Sequence, residues 1–194
     1  MPRVSTSRHW GVLGRTQVGK STLLARVVAG LPADLAVAVI DPAGSPAWGA
    51  WPARERAPER FGPGVYRLVP PASADNGSVA KAAAAALRAA YRQGNVLVVA
   101  DEVADWPWLE AVVRRGRQRG AAVWWATQYA TGAPRYLLSQ TDAIWSGVQV
   151  RGVDVRVLED ATGADWSVLP RLPPFRWAVW EGGDVYLWGE NNGR

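Results

Sequence analysis

Gly14-Arg15-Thr16-Gln17-Val18-Gly19-Lys20-Ser21 spells the signature G-x-x-x-x-G-K-[ST]. Its glycines let the backbone wrap tightly, so that successive N–H groups face a phosphate chain. Lys20 can reach the β- and γ-phosphates, and the Ser21 hydroxyl can ligate Mg²⁺. The flanks agree. His9 to Leu13 is a short apolar strand candidate, and Lys20 to Ala29 is a helix candidate whose N-terminal dipole favours an anion. A chance Gly-rich turn would not be expected to have strand, loop and helix in this order. Gly14 to Thr22 are therefore the expected nucleotide-binding residues, with ATP and Mg²⁺ as the expected cofactors.

Working outward, strands and helices alternate, which predicts an α/β fold with a mainly parallel sheet. Leu35 to Ile40 is a buried-strand candidate ending in Asp41-Pro42. Ala43 to Gly64, rich in Pro, Gly and Arg with Trp48 and Trp51, reads as a long surface excursion. Val65 to Val69 is a short strand candidate. Ser78 is the expected cap of an Ala-rich helix running to Gln93 and stopped by Gly94. Val96 to Ala100 reads as a central parallel strand. A helix is expected from Pro107 to Arg119 and a strand from Ala121 to Ala126. A short helix (Pro134 to Leu138), a strand (Asp142 to Ser146) and a helix (Asp154 to Ala161) follow. Phe175 to Trp180 and Val185 to Trp188 read as a terminal β-hairpin across Glu181-Gly182-Gly183-Asp184. One domain, residues 1–194 with a core of about 9–190, is the economical division.

The central strand ends in Asp101-Glu102. An acid at the C-terminal end of a buried strand can hold Mg²⁺, and the next can polarise a water for attack on a γ-phosphate. Such an acid pair is a weak signal alone and a strong one about eighty residues after a good phosphate loop. Glu102 favours hydrolysis over a silent nucleotide switch. Gln128, after the following strand, falls at the sheet edge where ligands bind and can sense the γ-phosphate or orient the water. Between them lies Arg114-Arg115-Gly116-Arg117-Gln118-Arg119-Gly120, a cationic run. It reads as a solvated helix end, an arginine finger offered to a neighbouring subunit, or a set of DNA-phosphate contacts.

Bulk composition bounds the rest. The 194 residues are 48% hydrophobic and 20% charged, as a globular chain requires. There is no Cys, which removes disulfide and thiolate-metal chemistry. No apolar run approaches the roughly 18 residues of a membrane span, and Met1 to Ser5 lacks the apolar stretch of a signal peptide. The net charge of +5 favours polyanionic partners. Twenty of the twenty-two basic residues are Arg, however, as a GC-rich genome alone would give. Twelve Trp are expected mainly in the core and at interfaces.

The order of these motifs resembles the FtsK–HerA superfamily of DNA-pumping ATPases. It comprises the phosphate loop, an apolar strand with Asp-Glu, Arg-Arg-Gly-Arg-x-Arg-Gly, and an apolar strand with Thr-Gln. Asp41-Pro42, Pro134 to Asp142 and Asp154 to Glu159 resemble further stretches of that family. The likeness spans Trp10 to Trp188. It departs where Ala43-Gly44-Ser45 follows Asp41-Pro42, since many relatives place an acid there. The length is similar to that of the minimal genome-packaging ATPases of icosahedral viruses with an internal membrane.

The resemblance implies a RecA-like P-loop NTPase with Lys20 and Ser21 on nucleotide and Mg²⁺, Asp101 on the metal and Glu102 as base. Gln128 is then the sensor, and Arg117, with Arg119 second, the trans arginine finger. It further implies a homo-oligomeric ring, a hexamer by family habit and a monomer when isolated. The ring would act on double-stranded DNA at a capsid vertex or portal, in host cytoplasm and virion. The excursion at Ala43 to Gly64 and the stretch Arg67 to Gly77 are the candidate DNA or capsid contacts. The alternatives are a plasmid or conjugation-type motor of the same superfamily, a P-loop small-molecule kinase, and a nucleotide-binding structural protein.

Overall fold

The computed structural model describes residues 7–188. The N-terminal stretch read for a leader, and residues 189–190 of the expected core, lie outside them. The elements in chain order are β1 (Trp10–Leu13), α1 (Lys20–Ala29), β2 (Ala36–Ile40), β3 (Ala53–Arg54), β4 (Gly64–Leu68), α2 (Asn76–Gln93), β5 (Val96–Ala100) and α3 (Leu109–Arg115). Then come β6 (Ala122–Thr127), α4 (Arg135–Ser139), β7 (Ala143–Ser146), α5 (Gly152–Thr162), β8 (Trp177–Trp180) and β9 (Tyr186–Trp188).

One sheet holds all nine strands, in the order β3-β4-β2-β5-β6-β1-β7-β8-β9. Pairing is parallel from β3 to β7 and antiparallel for β8 and β9. The expected mainly parallel sheet and terminal hairpin are both present.

Every residue of β1, β2, β5, β6 and β7 is buried. This explains why these strands read as continuous apolar runs and do not alternate. Alternate residues still serve opposite faces. Ala38, Ile40, Val98 and Ala100 pack under α2, α3, α4 and α5. Val37, Val39, Leu97 and Val99 pack with Leu24, Ala25 and Val28 of α1 and with Trp48. The buried stripe of α2 is Ala83, Ala86, Leu87, Ala89 and Ala90, a helical period with mostly small side chains that let the helix lie close to the sheet.

Three local expectations change. The cap of α2 is Asp75, whose Oδ1 accepts the Ser78 N–H at 2.7 Å, so Ser78 lies inside the first turn. Helix α3 is shorter than the span from Pro107, because Trp108 takes a left-handed φ of 75° immediately before it. A separate 3-10 turn, Arg117–Arg119, follows it. The Ala43 to Gly64 segment runs over the surface as expected, with Trp48 and Phe61 alone buried within it, but it is not without structure. It contributes β3 and a 3-10 turn, Pro46–Trp48, whose Trp48 is wholly buried. The tryptophans mostly fill the core as expected, and Trp48, Trp124, Trp125 and Trp166 are among its largest fully buried side chains.

Candidate functional site

Parallel order decides where the chemistry gathers. Strand β6 lies between β1 and β5. The loop after β1, Thr127-Gln128 at the end of β6, and Asp101-Glu102 at the end of β5 therefore share one carboxyl edge of the sheet. Ligands bind at that edge in open α/β sheets.

The loop adopts the backbone its glycines permit. Gly14 has φ 146°, and a Cβ there would meet Val18 Cγ2 at 2.7 Å. Gly19 caps α1 in the left-handed region at φ 92°. Lys20 begins α1 and reaches back across the loop. Its Nζ donates to the carbonyls of Gly14 (2.9 Å) and Arg15 (3.3 Å) and lies 3.9 Å from Glu102 Oε1. It is 5% exposed, and burial lowers its pKa, with Glu102 and then Asp101 drawing it back up. Arg15, Thr16, Gln17 and Thr22 are exposed around the rim and Ser21 is half-buried.

Asp101 is 2% exposed. Its Oδ2 accepts the Trp48 indole N–H at 2.8 Å. Its Oδ1 is buried with no hydrogen-bond partner among the described residues. Burial pushes the carboxyl up from its ordinary value. The Trp48 N–H and the Ser21 hydroxyl oppose that, Asp41 adds to it, and Lys20 opposes it. Ser21 acts on this carboxyl from beside it, without meeting hydrogen-bond geometry to Oδ1. The cation and the anion of this site are thus each disfavoured in their charged forms by burial, and they do not pair with one another. An incoming phosphate would relieve the first, and a divalent ion the second. A buried carboxylate oxygen left without a donor, next to the hydroxyl that opens α1, suits Mg²⁺, a hard cation with oxygen ligands.

Glu102 takes a left-handed φ of 60°, an uncommon conformation for a non-glycine residue that tends to mark functional turns. Its Oε2 lies 3.5 Å from Gln128 Nε2. The acid is therefore held between the loop lysine and the candidate sensor. Gln128 in turn is fixed by its own carbonyl, which accepts the Gln149 side-chain N–H at 3.1 Å.

Three supports were not visible in the sequence. Arg67 joins Asp41 through Nε (3.0 Å) and Nη2 (2.7 Å), and donates to the carbonyls of Ser45 (3.1 Å) and Trp48 (3.1 Å). This buried pair staples the Pro46–Trp48 turn, and the turn delivers the Trp48 indole to Asp101. A charge inside the apolar stretch Val65 to Leu68 was the available signal for Arg67; nothing signalled Gln149. Trp48 and Arg67, at 0% and 8% exposure, are not free to touch DNA or capsid as the sequence suggested for their segments.

The arginine run lies at the opposite, amino edge of the sheet. Arg117 Nη2 donates to Asp142 Oδ2 and to the Gln140 carbonyl, both at 2.6 Å. Arg119 donates to the Arg92 carbonyl at 3.3 Å and lies over the Tyr91 ring. Neither is near its own chain's phosphate loop.

A phosphate loop facing acids across an intervening Gln-tipped strand defines the P-loop NTPase class in its RecA-like layout. No family model matches the chain, and no curated protein matches it in sequence. Solved structures match its fold. The genome packaging NTPase B204 from Sulfolobus turreted icosahedral virus 2, in complex with ATP-gammaS, aligns at TM-score 0.67 and 14% identity over 95% of this chain and 98% of that one. B204, the DNA-packaging ATPase from Sulfolobus turreted icosahedral virus, aligns at TM-score 0.68 and 15% identity over 93% and 96%. The conjugation coupling protein TcpA of pCW3, with ATPgS, aligns at TM-score 0.61 and 13% identity over 93% of this chain and 59% of its own. The fold agrees with the resemblance to the FtsK–HerA superfamily read from motif order.

Proposed function

We propose that the protein is an FtsK–HerA-type ATPase that hydrolyses ATP to move double-stranded DNA, and that it packages a viral genome into a preformed capsid. The observation that carries the hydrolytic reading is the placement of Glu102 between Lys20 and Gln128 at the carboxyl edge. Lys20 exchanges the Gly14 and Arg15 carbonyls for the β- and γ-phosphates. Glu102 accepts a proton from the attacking water, and Gln128 orients that water. When bound, Mg²⁺ would neutralise phosphate charge; the Ser21 hydroxyl and Asp101 are the groups that would hold it.

The arginine run, far from its own site, is offered to a neighbouring subunit in a ring of six. Arg117 leads and Arg119 follows, and Arg117 would exchange Asp142 for the neighbour's γ-phosphate. On this reading the ring docks on a capsid vertex and works in the host cytoplasm and at the virion. Among the described residues no helix is long and apolar enough to cross a membrane. Packaging is placed first because the likeness to the packaging NTPase runs over nearly all of both chains. A conjugation-type motor is the second reading, favoured by the TcpA likeness.

Steady-state ATP hydrolysis with and without long duplex DNA, over a range of salt, tests the proposal. DNA-stimulated turnover that disappears in Glu102→Gln, with ATP binding retained, is expected. No stimulation at any salt, together with phosphorylation of a small acceptor, would sink it.

A further inference from the structure

The segment after β7 runs between the phosphate loop and the candidate sensor. On one side the Gly147 N–H donates to the Leu13 carbonyl at 2.8 Å, just ahead of the loop. Gly147 also abuts the loop itself, for a Cβ on it would sit 3.2 Å from Val18 Cγ2. Two residues on, Gln149 Nε2 donates to the Gln128 carbonyl. Gln149 is 1% exposed, and its own N–H donates to the Leu169 carbonyl at 3.4 Å. Farther along, the same stretch of chain holds the turn that follows Gln128. Asp154 Oδ1 accepts the Thr131 backbone N–H at 2.9 Å and the Thr131 hydroxyl at 2.8 Å, and the Arg151 guanidinium lies over the Tyr129 ring. Packing alone does not call for a glutamine at 149. Its Oε1 is buried with no hydrogen-bond partner among the described residues. A leucine would fill the same space without that cost, so what the glutamine contributes is its donor.

We propose that Gln149 is a positioning residue for hydrolysis, which sets Gln128 in register with the phosphate loop. The inference rests on the reading of Gln128 as sensor. Gln149 acts through the Gln128 backbone and not on the nucleotide. Gln128 carries its side chain on the peptide that Gln149 grips, and its Nε2 lies 3.5 Å from Glu102 Oε2. Because Asp154 pins Thr131 separately, loss of the Gln149 bond frees that peptide without releasing the rest of the turn. Gln128 then shifts relative to Glu102 and the γ-phosphate. The phosphate loop keeps its own contacts, so the geometry of the reaction suffers and ground-state binding does not.

Steady-state ATP hydrolysis by the full chain, with Mg²⁺ and long duplex DNA, tests this in the wild type, Gln149→Leu, Gln128→Ala and the double variant. Gln149→Leu should lower kcat by about 10- to 10²-fold, as an ångström-scale misplacement does, and leave KM for ATP within about twofold. Its melting temperature should hold, because the variant removes the buried, unpartnered Oε1 together with the bond to the Gln128 carbonyl, and the two costs are of like size. In the double variant Gln149→Leu should add little to Gln128→Ala, since it acts only through that residue, whereas a merely structural role would multiply the two losses. A kcat for Gln149→Leu within about twofold of the wild type, with Gln128→Ala slow, would overturn the positioning role and leave the ATPase reading standing. Fully multiplying losses would overturn it too, as would a melting temperature lowered by about 10 °C or more, the mark of a core residue. Gln128→Ala turning over like the wild type would instead bring down the sensor reading, and the inference with it. No hydrolysis by the wild type would bring down the ATPase reading itself.

Discussion

The two edges of the sheet treat buried polar groups in opposite ways. At the amino edge, His9 is wholly buried and both ring nitrogens are used. Nδ1 accepts the Val123 N–H at 2.9 Å, and Nε2 lies 2.9 Å from the Val113 carbonyl. Asp142 receives the His9 backbone N–H at 2.8 Å and the Arg117 guanidinium. At the carboxyl edge, Asp101 Oδ1 and Gln149 Oε1 are buried without partners among the described residues. Lys20 makes do with loop carbonyls. Satisfied groups hold an edge together, whereas unsatisfied ones are a cost that a ligand removes. The difference sets one edge apart as scaffold and the other as the candidate site.

The comparison is tested most severely at Glu102. Glu102→Gln should lower turnover by about 10²- to 10⁴-fold, the range for loss of a general base. It should leave thermal stability unchanged, because the removed charge is half-exposed and 3.9 Å from the Lys20 ammonium. Turnover and melting temperature, measured on one preparation, check both halves. A large fall in melting temperature would make Glu102 a structural acid and blur the contrast.

Trp48→Phe probes the support behind the site. It keeps most of the packing and removes the N–H from buried Asp101. Groups that orient a metal ligand are typically worth 10- to 100-fold, so the Mg²⁺ concentration needed for half-maximal hydrolysis should rise by about that factor. Unchanged Mg²⁺ dependence would show that Asp101 does not need its indole.

His9→Leu should do the reverse. It orphans the Val123 N–H and the Val113 carbonyl, each costing about 1–3 kcal/mol. For a chain of this size that lowers the melting temperature by several degrees, at roughly 2–4 °C per kcal/mol. Turnover per folded molecule should hold, and a fall in it would couple the two edges.

How much of this the sequence disclosed follows the range of the contacts involved. The loop, Asp101, Glu102 and Gln128 were legible because each is fixed by its own strand or turn, and parallel order brings strand ends together. Helix α1 and the hairpin were legible from local punctuation at Gly19 and at Gly182-Gly183. Trp48 was misread because Pro and Gly around it look like surface loop. What buries it is Arg67, nineteen residues on, clasping Asp41 and the turn's carbonyls. The fate of Arg117 was hidden likewise, since its partner Asp142 is twenty-five residues away and reached through β6 and α4. Charge says that an arginine needs an anion and says nothing of which one.

The smallest expected effect is on pH, and it separates the edges once more. His9 has its pKa lowered from 6.5, first by burial and then by Arg117, with Asp142 opposing. A group whose folded pKa is depressed contributes stability that is present above its unfolded value. That contribution is lost as pH falls through the folded one. Stability should thus decline below about pH 6.5, by at most about 1.4 kcal/mol per pH unit for one proton. Asp101 has the opposite sign. Its pKa is raised, first by burial, so protonation on the acid side relieves the folded state. Denaturant melts of the wild type and His9→Leu between pH 5 and 7 isolate the first from the second. The wild type should lose stability over that interval, and the variant, weaker at pH 7, should lose less. Parallel declines would place the titrating group elsewhere, and the amino edge would no longer be the part of the sheet that acid attacks first.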